Sequence, residues 1–114
     1  RDQDRALTIA ALGRVAGLAA DGDCGPAEFG DRFRSPGHVH LLRAAPDGLA
    51  DREGHTELAL ALADAADLSS AAVVCEMLDT KTGGALAPAD ARAYAEREGL
   101  AYVEGTALLA AFQD

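Results

Sequence analysis

The feature that most constrains the fold of this chain is an alternation between segments with helical spacing and short apolar runs. Residues 2–20 and 56–68 repeat apolar side chains every three or four positions, which is typical of amphipathic helices. Three short runs resemble strands: 39–44, 71–78 and 100–103. Of these, 71–78 is apolar enough for a strand buried on both faces. Helices that alternate with buried strands pack as layers of helix on a sheet.

Single residues mark the bounds of the other predicted elements. Pro88 suits the start of a helix and Gly99 its end. Thr106 can cap a final helix over residues 107–112. Residues 21–36 are rich in Gly and Pro and predict one long loop, which is usually functional or disordered at this length.

Composition bounds the kind of protein. The chain has 114 residues, 49% of them hydrophobic, and no internal repeats, which predicts a single domain over residues 1–114. Its formal charge is −9 and it has a single Lys, so a nucleic-acid groove is not expected. No apolar run approaches the roughly 20 residues of a transmembrane helix, and the charged start is no signal peptide, so we expect a cytoplasmic protein without membrane contact. Cys24 and Cys75 lack metal-type spacing and are expected to be reduced thiols.

The turn that precedes the second helix is the richest candidate for a site. If the helix begins near Thr56, its first N–H groups face the turn, and Arg52 adds a positive charge that can form two parallel hydrogen bonds to a phosphate. His55 could supply a nitrogen to a divalent metal, and Glu57 could hold a second ligand position or orient water. The alternative is a Thr-capped helix with a surface Arg and an exposed His.

Two other features could carry chemistry. His38 and His40 would share a face on a strand, which makes a zinc pair conceivable. Because a third ligand is not apparent, one His at a turn and one partly exposed His on a strand is the favoured interpretation. Glu76 interrupts an apolar run, and a buried carboxyl there could transfer protons at neutral pH. A strand-end Glu that reaches water is the other interpretation.

Four motifs together resemble one enzyme family over essentially the whole chain. They occur in the order and with spacings similar to those of 3,4-dihydroxy-2-butanone 4-phosphate synthases, lyases of riboflavin biosynthesis: Asp4-Arg5-Ala6-Leu7-Thr8, Ser35-Pro36-Gly37-His38-Val39, Arg52-x-Gly54-His55-Thr56-Glu57 and Cys75-Glu76.

The resemblance implies a reaction and a fold. The reaction converts D-ribulose 5-phosphate into 3,4-dihydroxy-2-butanone 4-phosphate and formate, with Mg²⁺ or Mn²⁺ as cofactor, in a homodimer. The implied fold is α+β, a three-layer α/β/α arrangement with a mixed sheet, of which this chain would be the C-terminal part.

The resemblance also implies roles for residues of this chain. His38 and Glu76 match the two residues needed for catalysis. His55 matches the metal-binding histidine, and the substrate-binding turn corresponds to Arg52, Glu53, Gly54, His55 and Thr56, with Glu53 making contact through its backbone. His40 falls where the family tolerates other residues, which weakens the zinc pair.

One departure from the family pattern concerns an acidic loop. In the family, that loop supplies the remaining metal ligand and acid/base groups from the half before the point where this sequence begins. We therefore expect a lyase that needs that half for activity. The alternatives are a non-catalytic remnant that acts as a phosphate-binding or structural partner module, and an acidic interaction domain without a site.

Overall fold

The computed structural model describes residues 1–112 and is mostly helical. The chain divides into two compact units, the first over Arg1–Val73 and the second beginning at Val74. The predicted site residues of the Arg52–Thr56 turn and His38 belong to the first unit, and Glu76 belongs to the second.

Helix α1 of the first unit covers Asp2–Ala20, as the apolar spacing predicts. Two acidic residues, Asp2 and Asp4, lie in its first turn, where negative charge favourably faces the helix dipole. Val15 is its buried residue.

Helix α2 covers Pro26–Arg32, inside the stretch that was predicted to be one long loop, so that prediction is wrong in part. Pro26 occupies the first turn, where its missing N–H costs nothing. The Glu28 carboxylate accepts a hydrogen bond from the Gly25 N–H at 3.0 Å. A Pro followed two residues later by a Glu was the signal for this helix start.

Helix α3 covers His55–Ala65 and contacts a short 3-10 helix over Gly48–Ala50. It ends three residues before the predicted bound of 68. Asp67 adopts a left-handed backbone with φ of 56°, and the Leu68 N–H turns back to donate to the Ala63 carbonyl at 2.9 Å. These two features terminate the helix although the apolar pattern continues to Leu68.

The second unit contains helices α4, over Pro88–Glu98, and α5, over Gly105–Phe112. Helix α4 confirms the prediction at both ends, and Gly99 follows it in the left-handed conformation with φ of 66°. Thr106 lies inside α5 and is therefore not its predicted cap.

The predicted α+β fold, a three-layer α/β/α arrangement with a mixed sheet, is wrong for this structure. Runs 39–44, 71–78 and 100–103 form no strand among the described residues, and the β pairing there is one isolated antiparallel bridge, Leu78 to Ala85. A strand needs a hydrogen-bonding neighbour as well as apolar side chains. The predicted strand over 71–78 is exposed along its apolar part, with Val73 71% exposed.

Little of the described chain is fully buried. The hydrophobic residues that are buried within residues 1–112 are small or medium in size: Val15, Ala63 and Ala95. Within the same range, none of the helices combines the length and apolar character that crossing a membrane requires.

Candidate functional site

The start of α3 presents uncapped backbone donors. Gly54 is the N-cap residue, with an extended backbone (φ −94°, ψ 165°), and the helix begins at His55. No side chain caps α3. The alternative interpretation of this turn, a helix capped by Thr56, is therefore wrong in that respect. The first N–H groups of an α-helix lack acceptors within the helix, and the helix dipole adds partial positive charge there. This end of α3 therefore suits an anion.

Glu57, at the third position of α3, is a buried carboxylate beside this helix start. It is 2% exposed, and its Oε1 accepts a hydrogen bond from the Ala45 N–H at 3.0 Å. Its Oε2 has no hydrogen-bond partner among the residues that the structure describes. The hydrogen bond fastens the loop before the 3-10 helix to the first turn of α3.

Arg52 pairs with the free oxygen of this carboxylate from the solvent side. Its Nε lies 4.0 Å from Glu57 Oε2, while the Arg52 side chain is 71% exposed. One edge of the guanidinium thus faces a buried charge, and most of the side chain is accessible to a ligand.

Gly54 allows the Arg52 and Glu57 side chains to approach each other. A Cβ at this position would lie 2.5 Å from Glu57 Oε2 and 3.1 Å from Arg52 Nε. Because φ is −94°, any residue could adopt this backbone. The requirement for glycine here is therefore one of space and not of backbone conformation.

Hydrogen bonding and charge favour the ionised form of Glu57. Its pKa lies below the ordinary value of 4.5, first because the Ala45 N–H donates to it and then because of its own backbone N–H. The Arg52 charge and the Gly54 backbone act in the same direction, whereas burial opposes them. At neutral pH this carboxylate is ionised.

The structure brings most of the predicted substrate-binding residues to one place. Arg52, Glu53, Gly54, His55 and Thr56 form the turn and first residues of α3; Glu53 and His55 are exposed and Thr56 is half-buried. Their predicted roles remain predictions, since they depend on a ligand.

His38 is not brought into polar contact with that turn. It is exposed and follows the cis bond between Ser35 and Pro36, and no hydrogen bond or ion pair within residues 1–112 links it to α3. His40 is also exposed. Because residues 39–44 form no strand, the argument that these two histidines share a strand face is wrong.

Glu76 does not occupy the setting predicted for it. It was expected at the end of a buried strand, close to His38 and His55, but it is exposed and outside any strand. The physical argument for proton transfer by Glu76 was burial, and that argument is lost. What stands behind its catalytic role is the family resemblance.

A complete magnesium or manganese site is not formed by the described residues. Within residues 1–112 no group of three or more His, Cys, Asp or Glu side chains could hold a metal ion. Mg²⁺ prefers near-octahedral oxygen ligands, and the expected ligand His55 is a single exposed imidazole. The residues present therefore do not fit the cofactor by themselves.

Glu57 is the residue of this site to which the sequence analysis gave too little weight. It was considered a possible ligand or water-orienting group and was not among the predicted site residues. The signal was its position, because a Glu three residues after an N-cap reaches back toward that residue. Its contact with Ala45, twelve residues earlier, has no such local signature.

Comparison with known proteins places the chain in a family. Residues 1–111 match the 3,4-dihydroxy-2-butanone 4-phosphate synthase family. A protein of that name from Methanothermobacter thermautotrophicus is 45% identical over 113 residues, which is 99% of this chain and 47% of the relative. Its namesake from Archaeoglobus fulgidus is 45% identical over 108 residues, which is 95% of this chain and 44% of the relative.

A longer type of relative also matches. The riboflavin biosynthesis protein RibBA of Rhodococcus erythropolis is 42% identical over 86 residues, which is 75% of this chain and 20% of the relative. The chain belongs to the 3,4-dihydroxy-2-butanone 4-phosphate synthase family, a family of lyases, and spans less than half the length of the synthases it matches.

Proposed function

We propose that this chain is part of a lyase that converts D-ribulose 5-phosphate into 3,4-dihydroxy-2-butanone 4-phosphate and formate in riboflavin biosynthesis. Family membership and the names of its relatives support the reaction. The structural observation that carries the proposal is the uncapped start of α3 with Arg52 beside it. That arrangement is suited to the phosphate group that substrate and product share.

The proposed phosphate site consists of Arg52, Gly54, His55 and Thr56. The exposed guanidinium of Arg52 offers planar donors that match two phosphate oxygens. The first backbone N–H groups of α3 and the helix dipole supply further attraction for an anion. The chain as a whole is acidic, with a formal charge of −9. The local positive potential at the start of α3 must therefore outweigh the repulsion of phosphate by this net negative charge.

The reaction removes one carbon of the sugar as formate and requires protons to move between carbon and oxygen. Side chains positioned to donate and accept protons typically raise the rate of such steps by roughly 10²–10⁴-fold. His38 and Glu76 are the residues that we propose for this work, on the family resemblance. Neither side chain is buried, so both are accessible to protons and substrate.

Three further expectations belong to this proposal. His55 would provide one ligand of a Mg²⁺ or Mn²⁺ ion whose remaining ligands come from other residues than those described. The protein would act as a homodimer. It would work in the cytoplasm, where Cys24 and Cys75 stay reduced.

Binding of D-ribulose 5-phosphate to the chain tests the phosphate site. We expect Arg52→Ala to weaken binding about tenfold or more at low salt, because a charge-assisted hydrogen bond to phosphate is lost. Arg43→Ala is the matched control, since Arg43 is also exposed and forms no ion pair within residues 1–112. Equal affinities for the two variants would remove the assignment.

Formate release tests the reaction. The measurement uses D-ribulose 5-phosphate with Mg²⁺ and compares the 114-residue chain with a complete synthase that carries this segment. We expect turnover by the complete synthase and none by the chain. A complete synthase that binds the sugar phosphate but releases no formate would contradict the proposed reaction.

A further inference from the structure

We propose that Glu57 is a positioning residue, which holds the Arg52 guanidinium at the start of α3 so that it can receive a phosphate. This inference rests on the proposed function, because it assigns a role within the proposed phosphate site. It concerns a residue that does not itself touch the phosphate. Three observations carry it.

The first observation is that the Glu57 carboxylate is fixed. It is buried, and its Oε1 is held by the Ala45 N–H at 3.0 Å. A buried side chain with one oxygen bound to backbone has little freedom to change rotamer. Its position is therefore set by the loop before the 3-10 helix and by α3, and not by Arg52.

The second observation is that Oε2 needs a partner and Arg52 is the group that faces it. A buried carboxylate oxygen without a hydrogen bond is costly. Arg52 Nε lies 4.0 Å from Oε2, and no other cation forms an ion pair with Glu57 in the described part of the chain. The fixed carboxylate thus selects Arg52 orientations in which the Nε edge turns inward.

The third observation is that the rest of the guanidinium stays accessible. The Arg52 side chain is 71% exposed, and such an arginine would otherwise sample many rotamers. A guanidinium has five donors, so pairing at Nε leaves the two terminal nitrogens for two phosphate oxygens. Ordering this side chain before binding lowers the entropy lost when the phosphate arrives.

Gly54 makes the pairing possible, because a Cβ there would lie 2.5 Å from Glu57 Oε2 and 3.1 Å from Arg52 Nε. The turn therefore combines a cation that can bind phosphate, a buried carboxylate that orients it and a residue without a side chain between them.

The charge of Glu57 alone has the opposite effect on phosphate binding. A negative charge near the site repels phosphate, so neutralising it would strengthen binding if repulsion were its main contribution. If positioning is its main contribution, neutralising it weakens binding. The sign of the change in affinity therefore separates the two roles.

The experiment measures the affinity of the 114-residue chain for inorganic phosphate by NMR titration. Glu57→Gln keeps the size of the side chain and an oxygen for the Ala45 N–H but removes the charge that pairs with Arg52. We expect it to weaken binding about two- to tenfold. In the Arg52→Ala background the same change should not weaken binding, because there is no guanidinium to orient and only the repulsion by the Glu57 charge is removed. Asp64→Asn, an exposed neutralisation further along α3, is the control for net charge and should leave affinity unchanged.

A measurement on the unsubstituted chain gives a second test that does not depend on a variant folding. The heteronuclear NOE of Arg52 Nε should exceed that of Arg43 Nε, since Arg43 is exposed and forms no ion pair within residues 1–112. Equal NOE values would overturn the inference.

The outcomes separate this inference from the function on which it rests. If Arg52→Ala weakens phosphate binding and Glu57→Gln leaves it unchanged or strengthens it, the positioning role is wrong and the phosphate site stands. If Arg52→Ala has no effect, the phosphate site itself is wrong and the inference falls with it.

Discussion

Replacing Gly54 by Ala tests the packing at the start of α3. The added Cβ would lie 2.5 Å from Glu57 Oε2, and ordinary contact begins at 3.4 Å, so the two atoms must separate by about 0.9 Å. Glu57 cannot retreat freely, because it is buried and bound to the Ala45 N–H. Overpacking of this kind costs about 1–3 kcal/mol. The substitution also lowers the conformational entropy of the unfolded chain, which stabilises the folded state by about 0.4–1 kcal/mol. We expect a net loss of about 1–2 kcal/mol in the free energy of unfolding.

The assay is urea unfolding followed by circular dichroism, together with hydrogen exchange of the Ala45 amide. Exchange at Ala45 reports directly on the hydrogen bond to Glu57 and should become faster in Gly54→Ala. Gly13→Ala is the matched control, because it makes the same change inside α1 with nothing within 4 Å of the new Cβ. It should raise stability by about 0.5–1 kcal/mol.

Two results would refute this reasoning. One is a Gly54→Ala chain as stable as the Gly13→Ala chain, which would show that the turn absorbs the Cβ without strain. The other is unchanged exchange at Ala45, which would show that Glu57 does not move or is not held there.

Three further predictions concern pH, helix termination and catalysis. Because the pKa of Glu57 is lowered in the folded chain, its contribution to stability is present above pH 4.5 and is lost as pH falls through the folded pKa. In urea unfolding from pH 7 downward, Glu57→Gln should therefore lose less of its free energy of unfolding than the original chain. Equal losses in the two chains would contradict the lowered pKa. Gly99→Ala forces a left-handed backbone on a residue with a Cβ and should lower stability by about 1–2 kcal/mol in thermal unfolding. Gly84→Ala, whose Cβ would make only an ordinary contact, should lower stability less. Equal losses of stability in the two variants would contradict this prediction. In a complete synthase, His38→Asn and Glu76→Gln should each lower kcat by roughly 10²–10⁴-fold, and Glu76→Gln should leave stability unchanged because the side chain is exposed; full turnover in either variant would remove that residue from the mechanism.

The helices were more predictable from the sequence than the strands, because helix signals are local. Each signal involves contacts within a few residues: the apolar spacing of residues 2–20, the helix start at Pro88 and the helix end at Gly99. The helices predicted from these signals are confirmed. The run 71–78 has the composition of a buried strand, but pairing depends on residues far away in sequence. Among the described residues that pairing is limited to Leu78 and Ala85.

The candidate site shows the same division between local and distant information. The sequence motif placed Arg52, Gly54 and a helix start within a few residues of one another, and the structure has that arrangement. Its role in binding an anion stays a prediction. The contact between Glu57 and Ala45 is set by the path of the intervening loop, which no pattern in the sequence encodes. For this reason the burial of the Glu57 carboxylate beside the turn became apparent only in the structure.

The most direct test of the central claim is a phosphate titration of the isotope-labelled chain, followed at every resolved amide and at the arginine Nε groups. The claim is that the start of α3 is where this chain binds a phosphate group. We predict that the largest shifts occur at the amides of His55 and Thr56 and at Arg52 Nε, and that they saturate together with one dissociation constant. Shifts of similar size at exposed arginines elsewhere, such as Arg14 and Arg43, without saturation at α3, would contradict the claim.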